Sequence, residues 1–218
     1  MNYNEILIKY INNYPTDEPI FIEDIKRHFE SVMEEELLNN IIKDIYVYIN
    51  RLVKANKVEQ CTKGVYYKET KNKEKSREIV SQKTINRKYI KDANGQKGYY
   101  TGIHLFNELG LTSQTSPKII IVTNECPNNN HYKNKGLGVT IKRPKIIIDN
   151  DNCRYLKLFD VLINRDNVEI EVSKKREKEI IYKYIKDNKI EMERLFEYAN
   201  KLYNLKPIEK LYDISGEE

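Results

Sequence analysis

The chain has 218 residues (26.0 kDa), is 39% hydrophobic and 33% charged, and carries a net charge of +5. That length and composition suit one large domain or two modest ones, and exclude a collagenous, disulfide-stapled or wholly disordered chain. It contains no run of about 18 apolar residues, and MNYNEILIKY lacks a signal-peptide pattern. A soluble, cytoplasmic protein with no membrane partner is therefore expected.

In chain order, Ile6, Leu7, Tyr10 and Ile11 have helical spacing, and Pro15 ends that first helix. Ile20-Phe21 reads as a very short strand. A second helix near residues 22–29 places Ile22, Ile25 and Phe29 on one face. Ser31 and Glu34 have the spacing of a capping box, and Asn39-Asn40 offers another start, so the third helix begins somewhere from residue 32 to 41. At about 100° per residue, Ile41, Ile42, Ile45, Ile49 and Leu52 share one stripe of it. Lys43, Val47, Asn50 and Lys54 fall opposite, flanked by Tyr46 and Arg51.

The pattern breaks at Asn56, and VEQCT, Lys63-Gly64 and VYYK follow as a hairpin whose glycine supplies the positive φ of a tight turn. Helix, helix, helix, hairpin is the order of a winged helix-turn-helix, and residues 1–70 are assigned to such a DNA-binding domain. The isoleucine stripe would be buried and the opposite stripe left for the major groove. Lys43, Tyr46, Val47 and Asn50 are the expected base-facing residues: Asn and Lys can hydrogen-bond base edges, and Val can meet a thymine methyl. Arg51, Lys54 and Lys63 are assigned to phosphates, where they add affinity without sequence choice.

Residues 71–100 hold nine basic and three acidic residues, net +6, whereas residues 1–70 are net −3. The stretch 71–80 reads as a basic linker, and residues 81–218 as a second domain. There, YYTGIHLFNELGL reads as a short helical segment closed by Gly110, KIIIVTN as a buried strand and PNNNHYKNKG as a loop. LGVTIKR and KIIID read as strands, a helix carries Tyr155, Leu158, Phe159 and Leu162, and VEIEV is a short strand or extended link. Two helices, near 174–187 and 191–202, close the chain. The fold class is α+β, a winged helix followed by a mixed α/β domain ending in two helices.

Three cysteines (Cys61, Cys126, Cys153) and three histidines are scattered without ligand spacing, so neither a metal nor a cofactor is expected. GLGVT at 136–140 lacks the Lys-Ser/Thr of a phosphate loop. Candidate acids exist at Asp149, Asp151, Asp160 and Glu169, the last near Lys174. Their spacing enforces no catalytic geometry, and no enzyme is expected.

The segment TGIHLFNELGLTSQTSPKIIIVTN (101–124) resembles the start of the C-terminal domain of AbiEi-type antitoxins, of the abortive-infection, type IV toxin–antitoxin systems, at Gly102, Asn107, Leu109, Gly110, Leu111, Thr112, Gln114 and Pro117. GVTIKRPKIIIDNDNCRYLKLFDVL is similar to the family at Arg143, Pro144, Asn152, Leu156 and Leu158. The likeness spans roughly residues 20–163, with residues 30–40 longer and more acidic than the family's compact helix-turn-helix. It implies an antitoxin that represses its own operon through inverted repeats in double-stranded DNA, and whose C-terminal domain counters a nucleotidyltransferase-like toxin that it need not bind stably. Gly102, Asn107, Gly110, Thr112, Gln114 and Arg143 then form a family motif or partner surface, although Gly110, Thr112 and Gln114 also suit a helix end and the turn after it. The alternative is a stand-alone repressor or mobile-element protein whose C-terminal domain binds a protein.

Overall fold

The computed structural model describes residues 3–32, 35–127 and 131–216, with only the backbone described at 3–4, 32, 35–43 and 215. The chain is mixed α+β and divides into two compact units, Met1–Asn86 and Arg87–Glu218. No helix among the described residues is long and apolar enough to cross a membrane.

The first unit runs α1 (Tyr3–Asn13), β1 (Ile20–Phe21), α2 (Ile22–Val32), α3 (Glu35–Lys54), β2 (Glu59–Thr62), β3 (Val65–Tyr67) and α4 (Lys73–Ile85). Leu7 and Ile11 of α1, Ile22, Ile25 and Phe29 of α2, and Ile45 and Ile49 of α3 form one buried cluster with Ile20, Val58 and Tyr66. The predicted stripes therefore meet, as apolar area removed from water requires. The three strands form an antiparallel sheet in the order β1-β3-β2.

Among the described residues α3 is helical from Glu35 onward, so Asn39-Asn40 lies inside it, while Glu34 lies outside the described residues. Ser31 is not the cap of that helix: it lies in the last turn of α2 and donates its hydroxyl to the His28 carbonyl at 2.7 Å. The expected basic linker is also corrected, because most of 71–80 belongs to α4. Asn72 caps that helix by accepting from the Lys75 N–H. Its buried face is Ser76, Val80, Thr84 and Ile85, and the Thr84 hydroxyl faces Cys61 of β2. Small and polar side chains on that face hide the helix from a hydrophobic-periodicity reading.

The second unit follows a π-helical turn (Asn86–Ile90). It contains a short hairpin, β4 (Lys91–Asp92) and β5 (Gly95–Gln96), then β6 (Gly98–Thr101), α5 (Ile103–Glu108), β7 (Ile119–Thr123), β8 (His131–Asn134) and β9 (Val139–Lys142). These are followed by α6 (Cys153–Asn164), a 3-10 turn (Arg165–Asn167), α7 (Lys174–Asp187), α8 (Met192–Tyr203) and α9 (Lys206–Ser215). The sheet order is β6-β7-β9-β8, antiparallel except for the parallel β7–β9 pair. Tyr155, Leu158, Phe159 and Leu162 of α6 are at the centre of a core completed by Ile181 of α7, Leu195 and Ala199 of α8, and Ile208 and Leu211 of α9.

Four expectations change here. Tyr99–Thr101 is strand rather than helix, and the expected loop at 127–136 contains β8, with 128–130 outside the described residues. KIIID is not a strand. The Asn124 amide bonds both the N–H and the carbonyl of Ile148, each at 2.8 Å, in place of a ladder partner, while Ile147 is 79% exposed. Finally, three helices close the chain, since Pro207 enters the first turn of α9, where its missing N–H costs nothing.

Candidate nucleic-acid interface

The C-terminal end of α3 is fixed by a left-handed Asn56 (φ 52). The Asn56 N–H bonds the Val53 carbonyl at 3.0 Å and the Lys57 N–H bonds the Leu52 carbonyl at 2.9 Å, the paired arrangement that satisfies a helix's last carbonyls. This stop delivers the chain into β2. The Lys63-Gly64 turn then joins β2 to β3, with Gly64 at φ 77 and a register irregularity at Cys61. The Gly64 carbonyl accepts from the Ile22 N–H at 2.9 Å, which ties the turn to the start of α2.

With Ile45 and Ile49 buried, the opposite face of α3 is open: Tyr46 is 40% and Val47 47% exposed, and Asn50, Arg51 and Lys54 are exposed. Val47, Asn50 and Lys54 form one stripe. Arg51 flanks it, with its guanidinium 5.5 Å from the Tyr48 ring centroid. Tyr46 sits on the other flank, where the Lys26 ammonium of α2 is 5.7 Å from its ring. Tyr46 also adds a smaller push to Tyr66, whose phenol is driven above its ordinary pKa chiefly by burial. Lys43 belongs to α3, but its side chain is outside those described.

Lys63 is exposed on the hairpin turn, at the end of β2 away from α3, and so is not part of the helix stripe. None of Arg51, Lys54 and Lys63 is in a salt bridge among the described residues. None of the three therefore has to break an ion pair to meet a phosphate, although Arg51 also sits over the Tyr48 ring.

The motif residues of the second unit serve the backbone around them. Gly102 (φ 65) is the N-cap of α5 and Gly110 (φ 75) its left-handed end, with the Leu111 N–H bonded to the Phe106 carbonyl. The Asn107 amide donates to the Thr112 and Gln114 carbonyls at 3.3 Å each. Thr112 is buried and its hydroxyl accepts from the Gln114 N–H, while the Gln114 amide reaches Glu169 at 2.8 Å. Arg143 is exposed, one residue beyond the end of β9.

The candidate acids do not converge. Asp149 accepts from the Asp151 and Asn152 N–H groups ahead of α6, Glu169 holds Gln114, and Asp160 lies within α6. No group of three or more His, Cys, Asp or Glu side chains able to hold a metal occurs among the described residues. Burial raises the Cys153 thiol to about 11, which keeps it protonated and unreactive at neutral pH. No family model and no curated protein matches the chain.

Proposed function

We propose that the first unit is a winged helix that binds double-stranded DNA, and that the whole chain is an operon-autoregulating antitoxin. The observation that carries DNA binding is the open, salt-bridge-free stripe on α3, followed by a hairpin with Lys63 at its tip. A helix with one face in the core and an opposite face of Val, Asn and Lys has the side chains that major-groove readout uses. Arg51, Lys54 and Lys63 supply backbone contacts, each releasing counterions from the duplex. The antitoxin half of the reading is supported by the resemblance at residues 101–124 and 138–162.

On DNA carrying the chain's own promoter, Asn50→Ala should retain non-specific binding but lose preference for the promoter over scrambled duplex, by about 1–3 kcal/mol. Arg51→Ala with Lys63→Ala should weaken binding to both duplexes and reduce the slope of log K against log salt by about 2. Fluorescence anisotropy from low to moderate salt measures both effects. Wild-type affinity, specificity and slope in all of these variants would rule out this surface as the interface.

A further inference from the structure

A cleft of about 320 Å³ lies in the second unit. Its floor is one face of the sheet. Thr101, Ile120, Val122 and Lys142 share that face, because Thr101 pairs with Ile120 and Val122 with Lys142. Asp160 and Asn164 of α6 form a wall, and Lys118 and Asn167 also line the cleft.

Asp160 is held firmly. One carboxylate oxygen accepts from the Thr101 hydroxyl, and the other from the Asn164 amide at 3.2 Å. Burial raises its pKa, against the opposing pull of Thr101, Lys142 and Asn164. Anchoring α6 to β6 would need only a neutral acceptor. A carboxyl kept here despite its desolvation cost, with acceptor capacity left on each oxygen, is suited to receive donors from something in the cleft. Lys118 and Lys142 are exposed, and neither is in a salt bridge among the described residues. The surface between these polar groups is apolar, from Ile103, Ile120 and Val168. An apolar bed with a few convergent polar groups, at the small end of the roughly 300–1,000 Å³ range, is the usual form of a small-ligand site.

We propose that this cleft binds a nucleoside monophosphate with an amine-bearing base. The base lies on the apolar floor and donates its amino group to Asp160, and the phosphate meets Lys118 and Lys142. The carboxylate selects for bases that present an N–H₂ group, and the two lysines require the phosphate. Such a site would give the second unit a ligand response separate from DNA binding.

The test is calorimetric titration of the full chain with each of the four ribonucleoside monophosphates, the free nucleosides and inorganic phosphate. At least one of the adenine, guanine and cytosine nucleotides should bind saturably, at least tenfold more tightly than the uracil nucleotide or phosphate alone. Asp160→Asn should reduce that binding by about tenfold or more, the usual size of a lost charge-assisted hydrogen bond. Lys118→Ala with Lys142→Ala should bring the nucleotide down to the affinity of its nucleoside. Both lysines are exposed, so this variant decides the matter even if Asp160→Asn fails to fold. No saturable binding, equal binding of the uracil nucleotide, binding matched by phosphate alone, or unchanged affinity in the lysine variant would each overturn it.

Discussion

Gly98→Ala should destabilise the second unit by more than about 3 kcal/mol, beyond the usual cost of overpacking. The position needs no special φ. Its constraint is space: an added Cβ would be 2.1 Å from the Tyr89 carbonyl oxygen, 2.7 Å from that of Val122 and 2.8 Å from the Thr123 Cβ. Two of these neighbours are backbone, and they are pinned by strand pairing of Gly98 with Thr123 and by the Lys97 N–H bond to the Ile90 carbonyl. Neither oxygen can rotate aside as a flexible side chain would. Thermal denaturation followed by circular dichroism should show a loss of roughly 10 °C or more, and a change of only a degree or two would mean that the strand relaxes freely. The same variant separates the two halves of the proposed function. The first unit has its own core, so on the proposed reading promoter binding should survive while any antitoxin effect of the second unit is weakened.

The second large effect is expected at the ion pair between Arg165 and Glu177. The Glu177 side chain is 4% exposed, and both of its oxygens accept from Arg165, at 2.5 and 2.9 Å. Arg165→Ala leaves a buried carboxylate without its partner and should cost about 3 kcal/mol, the low end for broken buried pairs because Arg165 is itself partly exposed. Replacing both residues together, Arg165→Met with Glu177→Leu, removes the charge along with its partner and should recover most of that loss. Urea denaturation of Arg165→Met, Glu177→Leu and the double variant closes a double-mutant cycle that measures the coupling. If Arg165→Ala costs under about 1 kcal/mol, water reaches Glu177 and the pair is worth no more than a surface bridge.

Both effects arise between residues that are distant in sequence or unremarkable in type, whereas the helices of the first unit could be read directly. Ile22, Ile25 and Phe29, then Ile45 and Ile49, repeat at helical intervals because each helix buries one face. The same spacing that marks the buried face marks the opposite one, which is how Val47, Asn50 and Lys54 could be placed on open surface. Helix ends at Asn56 and Gly110, and the turn at Gly64, were legible because left-handed backbone restricts residue choice locally.

Sequence alone thus determined what depends on near neighbours: the amphipathic helices, their stops, the hairpin turn and the α+β class. Tertiary structure decided what depends on a distant partner. His131–Asn134 is polar, yet it is a strand because β9 offers its edge, while KIIID is apolar and is not one because Asn124 takes the Ile148 backbone groups first. The helix at 73–85 carries no apolar periodicity because its buried face includes Ser76 and Thr84, which count as polar. The cleft around Asp160 brings together Thr101, Lys118, Lys142 and Asp160 from three strands or loops and a helix, a proximity set by sheet pairing and packing that no local spacing encodes.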